Sequence, residues 1–257
     1  MIINNLPGAD GKIGWTRLVK SKPDGYTIGY INLPTFTTLA NEKNASFKIT
    51  QIDPIANHLT ETGVVVVRAD SKWQTLTDLV KDAKANDKYR CSTNGVKASN
   101  HTAAQLLSQS AGFKYKAIPY GGTADQLMAL RQGKVDFSCA KVADVAKLVS
   151  GEKPELGILG VFATKCLAEY PNVPTLGEFG YYDQWYGSAR AIVAPASMPD
   201  DVLKYWVETF KKVLNDPDVK EAHEKGGLTI DYQDNQQLGE LIKSQDVFAR
   251  DVIPKLY

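Results

Sequence analysis

The sequence predicts an α/β protein built as two lobes, and three observations carry that prediction. Short apolar runs alternate with helical periods along most of the 257 residues, the grammar of largely parallel sheets joined by helices. Strand candidates crowd the middle of the chain and helices the last third, so the centre reads as one compact lobe and the two chain ends as a second, discontinuous one. A composition of 43% hydrophobic and 23% charged residues suits a globular chain with one large core or two modest ones.

The elements follow in order. "SKPDGY" (Ser21 to Tyr26) is a turn in which Pro23 presets φ, Asp24 bonds its own backbone and Gly25 tolerates positive φ. It launches the strand "YTIGYI" (Tyr26 to Ile31), followed by "GVVVVR" (Gly63 to Arg68). In "WQTLTDLVKDAKAN", Leu76, Leu79, Val80 and Ala83 share one helix face and the lysines take the other. Further strands read at "YRCS" (Tyr89 to Ser92), "KAIPY" (Lys116 to Tyr120), "VDFSC" (Val135 to Cys139) and "LGILGVF" (Leu156 to Phe162). "ARAIVA" (Ala189 to Ala194) and "LTIDYQ" (Leu228 to Gln233) complete the set. After Pro199, Leu203, Trp206, Val207, Phe210, Val213 and Leu214 form the wide apolar stripe of a core-facing helix. Asp216 caps the next helix, with Pro217 at its first position and Gly226 at its end. "NQQLGELIKSQDVFARDVI" is the last helix.

Several function classes are excluded. A formal net charge of +1 advertises neither nucleic acid nor an anionic membrane as a partner. The longest aliphatic run, Val64 to Val67, is far short of the roughly 18 apolar residues of a spanning helix, so the chain does not span a membrane. "MIINNLPGAD" carries no signal peptide as written. Cys91, Cys139 and Cys166 fit neither a disulfide framework nor a zinc knuckle. Buried thiols are the expectation, with a Cys91–Cys139 disulfide the alternative because each ends a strand candidate. His58, His101 and His223 stand in unrelated contexts without ligand spacing, so no metal and no cofactor is indicated. There is no nucleophile elbow, phosphate loop or dinucleotide fingerprint, and "PGADGKIG" reads as a turn.

Two segments share one arrangement. In "YRCSTNGVKASNHTAAQLLSQSAG" a strand ends at Ser92, a polar loop follows, and Ser99 is placed to cap a helix running to Gly112. In "KAIPYGGTADQLMALR" the strand ends at Tyr120, Gly121 and Gly122 make a corner, and Thr123 is placed to cap the helix to Arg131. Both helices start beyond the carboxyl end of a strand, the edge where α/β sheets bind ligands. Helix N-termini attract carboxylates and phosphates, and Ser92, Thr93, Asn94, Ser99 and Thr123 add neutral polar groups. The two glycines fit either a tight turn or a close approach to the backbone. His101 fits a cap contact better than a general base.

The combination resembles a known family. "NLPGADGKIGWTRLVKSKPDGYTIGY", "GVKASNHTAAQLL", "PYGGTADQLMALRQGKVDF", "YPNVPTLGEFGY", "WYG" and "VAPASMPDDV" are similar, in order, to motifs of the tripartite tricarboxylate transporter substrate-binding proteins, the TctC-like or Bug receptors. The resemblance implies a type II periplasmic-binding-protein fold, two α/β lobes with a ligand cleft between them. Residues 1–62 and 196–257 would form the discontinuous first lobe and 63–195 the second. It implies a non-enzymatic, periplasmic or extracytoplasmic receptor that captures a di- or tricarboxylate, acidic amino acid or aromatic carboxylate by lobe closure and delivers it to membrane permease subunits. Matching positions make Thr93, Asn94, Ser99, His101, Tyr120, Gly121, Gly122 and Thr123 the second-lobe ligand contacts and Thr35 the first-lobe contact, and the strand-end hydroxyl of Ser92 is counted with them. Lys141, where the family is less basic, either adds charge to the cleft or points into solvent.

One departure accompanies the resemblance. The family pattern begins about forty residues earlier, so the first lobe is expected to lack its N-terminal strand and helix, leaving an exposed edge. Weaker binding or self-association is the expectation. Two other readings stand beside the receptor: a ligand-sensing protein on the same fold coupled to signalling, and an enzyme using His101.

Overall fold

The computed structural model describes residues 2–226 and 228–257. Its first elements are α1 (Lys12–Val19), β1 (Gly29–Leu33), α2 (Thr35–Ala40), β2 (Ile52–Arg68), α3 (Leu76–Ala85) and β3 (Arg90–Thr93). Then come α4 (Ser99–Ala111), β4 (Lys116–Pro119), α5 (Thr123–Arg131), β5 (Phe137–Lys141), α6 (Val142–Val145) and β6 (Leu156–Val161). The last are β7 (Gly187–Pro195), α7 (Asp200–Asn215), α8 (Pro217–Lys225), β8 (Ile230–Gln233), α9 (Asn235–Asp251) and α10 (Ile253–Leu256). They form two compact units, one of Met1–Thr60, Ala189–Lys255 and Tyr257, the other of Glu61–Ser188 and Leu256. The division falls inside β2 and inside β7.

In the first unit, β1 pairs antiparallel with β7, from Gly29 opposite Val193 to Leu33 opposite Ala189. β8 pairs antiparallel with β2, Asn57 opposite Gln233. The two-residue period of β1 sends Ile31 and Leu33 into the core and leaves Tyr30 exposed. Phe36 stacks on Phe47 at 4.8 Å between ring centroids, and Trp15 meets Phe36 edge-on at 5.3 Å. Leu238 and Ile242, one helical turn apart on α9, join this cluster. Gly25 takes φ +84° as the turn requires. Leu203, Trp206, Val207 and Phe210 of α7 pack half-buried on Ile55, Ala56, Ile192 and Ala194. The expected stripe is narrower than its sequence, because Val213 remains exposed and only Leu214 is buried. Asp216 caps α8, accepting from the N–H groups of Asp218 at 2.9 Å and Val219 at 3.3 Å.

In the second unit the apolar face of α3 is buried as its period predicts, and Thr75 and Asp78 close a capping box at its start. Leu127 and Leu130 of α5 pack with Val64, Val66, Val135, Ala140 and Val161. Gly112 ends α4 in the left-handed conformation, φ +71°.

Three expectations are corrected. The sheets are mixed: β3 pairs parallel with β4 and with β5, whereas β2 pairs antiparallel with β5, β6 and β8. β2 starts at Ile52, eleven residues before the apolar run, because Asp53, Pro54, Asn57, Thr60 and Glu61 interrupt its apolar signal without preventing ladder pairing. Among the thiols Cys166 is exposed, while Cys91 and Cys139 are buried and free. Burial, then the neighbouring Cys139, drives the Cys91 thiol up. Burial pushes Cys139 up to about 12, against the opposing charge of Lys141.

Phe36→Ala is expected to destabilise the first unit by about 3–5 kcal/mol, through lost burial and the cavity left between Trp15 and Phe47. A urea titration followed by circular dichroism tests this, and an unchanged midpoint would contradict it.

Candidate functional site

Parallel pairing sets the site. Cys91 lies opposite Ala117 of β4 and Phe137 of β5, so the carboxyl ends of three strands reach one edge of the second unit's sheet. Thr93 ends β3, Tyr120 follows β4 and Lys141 ends β5. The N–H of Tyr120 donates to the carbonyl of Thr93 at 2.9 Å, tying two of these ends together. From the same edge α4 and α5 start, at Ser99 and Thr123.

Side chains fix the loop between β3 and α4. The Thr93 hydroxyl donates to the Gly95 carbonyl at 3.2 Å, and the Lys97 N–H donates to His101 Nδ1 at 3.0 Å. Asn94 Oδ1 accepts the N–H of Asn100 at 3.2 Å. Asn94 thus makes the contact with the first turn that Ser99 was expected to make. Ser99 is the first residue of the helix, and its hydroxyl accepts from Lys141 Nζ at 3.1 Å instead. Thr123 is likewise the first helical residue, preceded at the cap by Gly122, and no side chain caps α5.

The glycine corner answers one of its two readings. Gly122 is extended, with φ 168°, a conformation open to any residue, and Gly121 is not in the positive-φ region. A Cβ on Gly122 would meet nothing within 4 Å, and one on Gly121 only Asp125 Oδ2 at 3.6 Å. A tight turn therefore does not require these glycines.

Beneath the edge runs a buried polar chain. Lys141 Nζ donates to Asn100 Oδ1 at 2.5 Å; Asn100 Nδ2 donates to Gln126 Oε1 at 3.0 Å. Gln126 Nε2 donates to Ser138 Oγ at 2.5 Å and to the Cys139 carbonyl at 2.6 Å. Ser138 Oγ also accepts from Ser92 Oγ at 3.1 Å and donates to the Ser92 carbonyl at 2.9 Å. Lys141 is only 3% exposed, which overturns the reading that it points into solvent. Its charge sits under the first turn of α4. Tyr186 Oη adds a hydrogen bond to the Ser99 carbonyl at 3.1 Å.

The structure thus gathers Thr93, Asn94, Ser99, His101, Tyr120, Gly121, Gly122, Thr123 and Lys141 on or just behind one edge, with Ser92 one layer deeper. Thr35 belongs to the other unit, as the first residue of α2. Asn100, Gln126, Ser138 and Tyr186 were not singled out from the sequence. The one signal for them was Gln126 next to Leu127 on a buried helix face. Burial lowers the pKa of His101.

Fold and site together define the class: a solute-binding receptor of the periplasmic-binding-protein type. The chain belongs to the tripartite tricarboxylate transporter family receptors, TctC, whose family model matches residues 1–256. A Cupriavidus necator protein from the gbd 5′ region is 27% identical over 100% of this chain and 77% of its own length. A Rhodopseudomonas palustris protein solved with adipate shares 18% identity and a TM-score of 0.85, covering 99% of this chain and 85% of its own. MatC of Rhodopseudomonas palustris with bound malate shares 20% identity and a TM-score of 0.82, covering 96% and 85%. At these identities the two structures establish the fold. No helix among the described residues is long and apolar enough to cross a membrane.

The lowered pKa of His101 has a stability consequence. Above its unfolded value of about 6.5 both states hold neutral imidazole. As pH falls through that value the unfolded chain takes up the proton first, so stability is lost toward acid until the folded histidine titrates. His101→Asn keeps an acceptor for the Lys97 N–H. It is expected to flatten the fall in melting temperature below pH 6.5, and an equally steep fall in the variant would exclude His101 as its source.

Proposed function

We propose that this chain is a non-enzymatic, extracytoplasmic receptor for a small organic carboxylate, held at the β3, β4 and β5 edge and delivered to membrane permease subunits. The observation that carries the proposal is the open approach to α5. No side chain caps its first turn, and the two residues before it have no Cβ although their backbone does not require glycine. A carboxylate reaching those N–H groups would gain charge-assisted hydrogen bonds and the favourable end of the helix dipole. Asn94, Tyr120 and Thr123 would complete a rim of neutral polar groups, with the buried Thr93 and His101 and the Lys141 charge set behind it.

Family membership supports the receptor role, and the adipate and malate complexes of the structural neighbours support dicarboxylates of four to six carbons as the first ligands to test. The occupied Nδ1 of His101 favours a positioning role over general-base chemistry. Thr35 is the contact proposed from the first unit.

A ligand that binds only the folded chain stabilises it, by about 2.7 kcal/mol at a hundredfold excess over Kd. Malate or adipate is expected to raise the melting temperature while the dimethyl esters do not. Gly122→Val should fold, at a cost of about 1 kcal/mol because valine is a poor helix-cap residue, and weaken dicarboxylate binding at least tenfold by calorimetry. Unchanged affinity in this variant would remove the backbone approach from the site. If no carboxylate shifts the melting curve, the receptor assignment fails.

A further inference from the structure

His58 on β2 and His223 on α8 are 165 residues apart in sequence, yet their Nε2 atoms face each other at 2.9 Å. This corrects the expectation that the histidines stand in unrelated contexts. Both lie within the first unit, half-buried, on the wall of an open cavity of about 1340 Å³ that Tyr30 also lines. Their other ring nitrogens are engaged. His223 Nδ1 meets the Val219 carbonyl at 2.7 Å, and His58 Nδ1 meets the Tyr30 hydroxyl.

Chemistry fixes the protons. A carbonyl only accepts, so His223 carries its hydrogen on Nδ1 and presents a lone pair at Nε2. His58 then donates from Nε2 and accepts from Tyr30 at Nδ1. One hydrogen is shared between the facing Nε2 atoms, and displacing it frees both lone pairs for a metal ion lying to one side of the line that joins them.

We propose that His58 and His223 form a binding site for a divalent transition-metal ion of the copper and nickel class. At metal–nitrogen lengths of about 2.0–2.1 Å, nitrogens 2.9 Å apart subtend about 90° at the ion. That is a cis pair of a tetragonal or octahedral complex, the geometry of Cu²⁺ and Ni²⁺. A tetrahedral Zn²⁺ site would set its nitrogens about 3.3 Å apart. Among the described residues no group of three or more His, Cys, Asp or Glu side chains surrounds a common point, so water from the open cavity fills the other positions and the ion is exchangeable. On binding, the His58 proton moves from Nε2 to Nδ1 and is donated to Tyr30 Oη, so no proton is lost. Tyr30 and the Val219 carbonyl then orient the two ligands, as outer hydrogen-bond partners do in metal sites. The ion would link β2 to α8, a helix that buries none of its residues. This inference is independent of the carboxylate reading.

The test uses the full chain without an affinity tag, stripped with chelator, in a Cys166→Ser background because that thiol is exposed. Calorimetry with Ni²⁺ and with Cu²⁺ is expected to give one ion per chain, Cu²⁺ the tighter, with no uptake of Mg²⁺. His58→Gln and His223→Gln should each weaken uptake at least tenfold, and Tyr30→Phe about tenfold. Electron paramagnetic resonance of the unsubstituted pair with Cu²⁺ should count two imidazole nitrogens, a readout that needs no variant to fold. Absence of stoichiometric uptake, or a Cu²⁺ spectrum with fewer than two imidazoles, overturns the proposal. Uptake undiminished in either histidine variant overturns it equally.

Discussion

An ammonium group has donors and no acceptor, and burying one at the end of β5 sets the direction of every hydrogen bond behind the candidate site. Because Lys141 can only donate, Asn100 must turn its oxygen toward it and its NH₂ toward Gln126. Gln126 must then turn its oxygen to Asn100 and its NH₂ to Ser138 and the Cys139 carbonyl. Ser138, left with two bonds to accept, has its single hydrogen for the Ser92 carbonyl. Reversing any one amide would bring two donors or two acceptors together in a fully buried place, a penalty of about 1–3 kcal/mol for each stranded group. The chain therefore has one arrangement, and it joins α4, α5, β3 and β5 into a single stiff support.

That support explains how the edge combines precision with neutral contacts. The outer groups at the three strand ends are the hydroxyls of Tyr120 and Thr123, the amide of Asn94 and backbone N–H groups, while Thr93, His101 and the nearby cation lie buried behind them. Charge at this depth is weakly screened by salt, so it raises the potential of the whole edge without occupying the contact surface. In the proposed site, hydroxyls and N–H groups would dictate where an anion sits. A receptor that must release its cargo is well served by this division. In the proposed site, attraction would come from a charge that the ligand need not pair with directly, and position from bonds that water can replace on departure.

The sequence made the strand–loop–helix grammar of this edge legible because it depends on local signals: an apolar run, a polar loop, a helical period. The helix starts were readable in that way to within one residue, Ser99 and Thr123 being expected as caps and found as first helical residues, and the end at Gly112 was readable as well. The identity of the capping group was not, since Ser99 and Asn94 are both good capping residues and only the position of Lys141 decides between them. The antiparallel pairing of β2 was equally hidden. Its first half, "IDPIANHLTE", carries polar residues at nearly every other place, and ladder hydrogen bonds depend on backbone rather than on apolar content. Glycine conformation was misleading in the opposite sense. "PYGG" looks like a glycine-dependent turn by composition, and the chain does bend there, but at backbone angles that do not need glycine, so the missing side chains mark space.

The first unit shows the same limit on a longer scale. Spacing rules find ligands that one helix or one loop brings together, as in H-E-x-x-H. His58 and His223 are joined instead by a chain of placements, each locally reasonable. Asp216 and Pro217 fix where α8 begins. That start puts His223 one helical turn after Val219, whose carbonyl takes the Nδ1 proton. On β2, His58 lies between the buried Asn57 and Leu59, so the two-residue period turns it to the other face. None of these steps marks either histidine in the sequence. Their meeting follows from a helix cap and a strand parity more than 150 residues apart, and it exists only once both elements are packed in one unit.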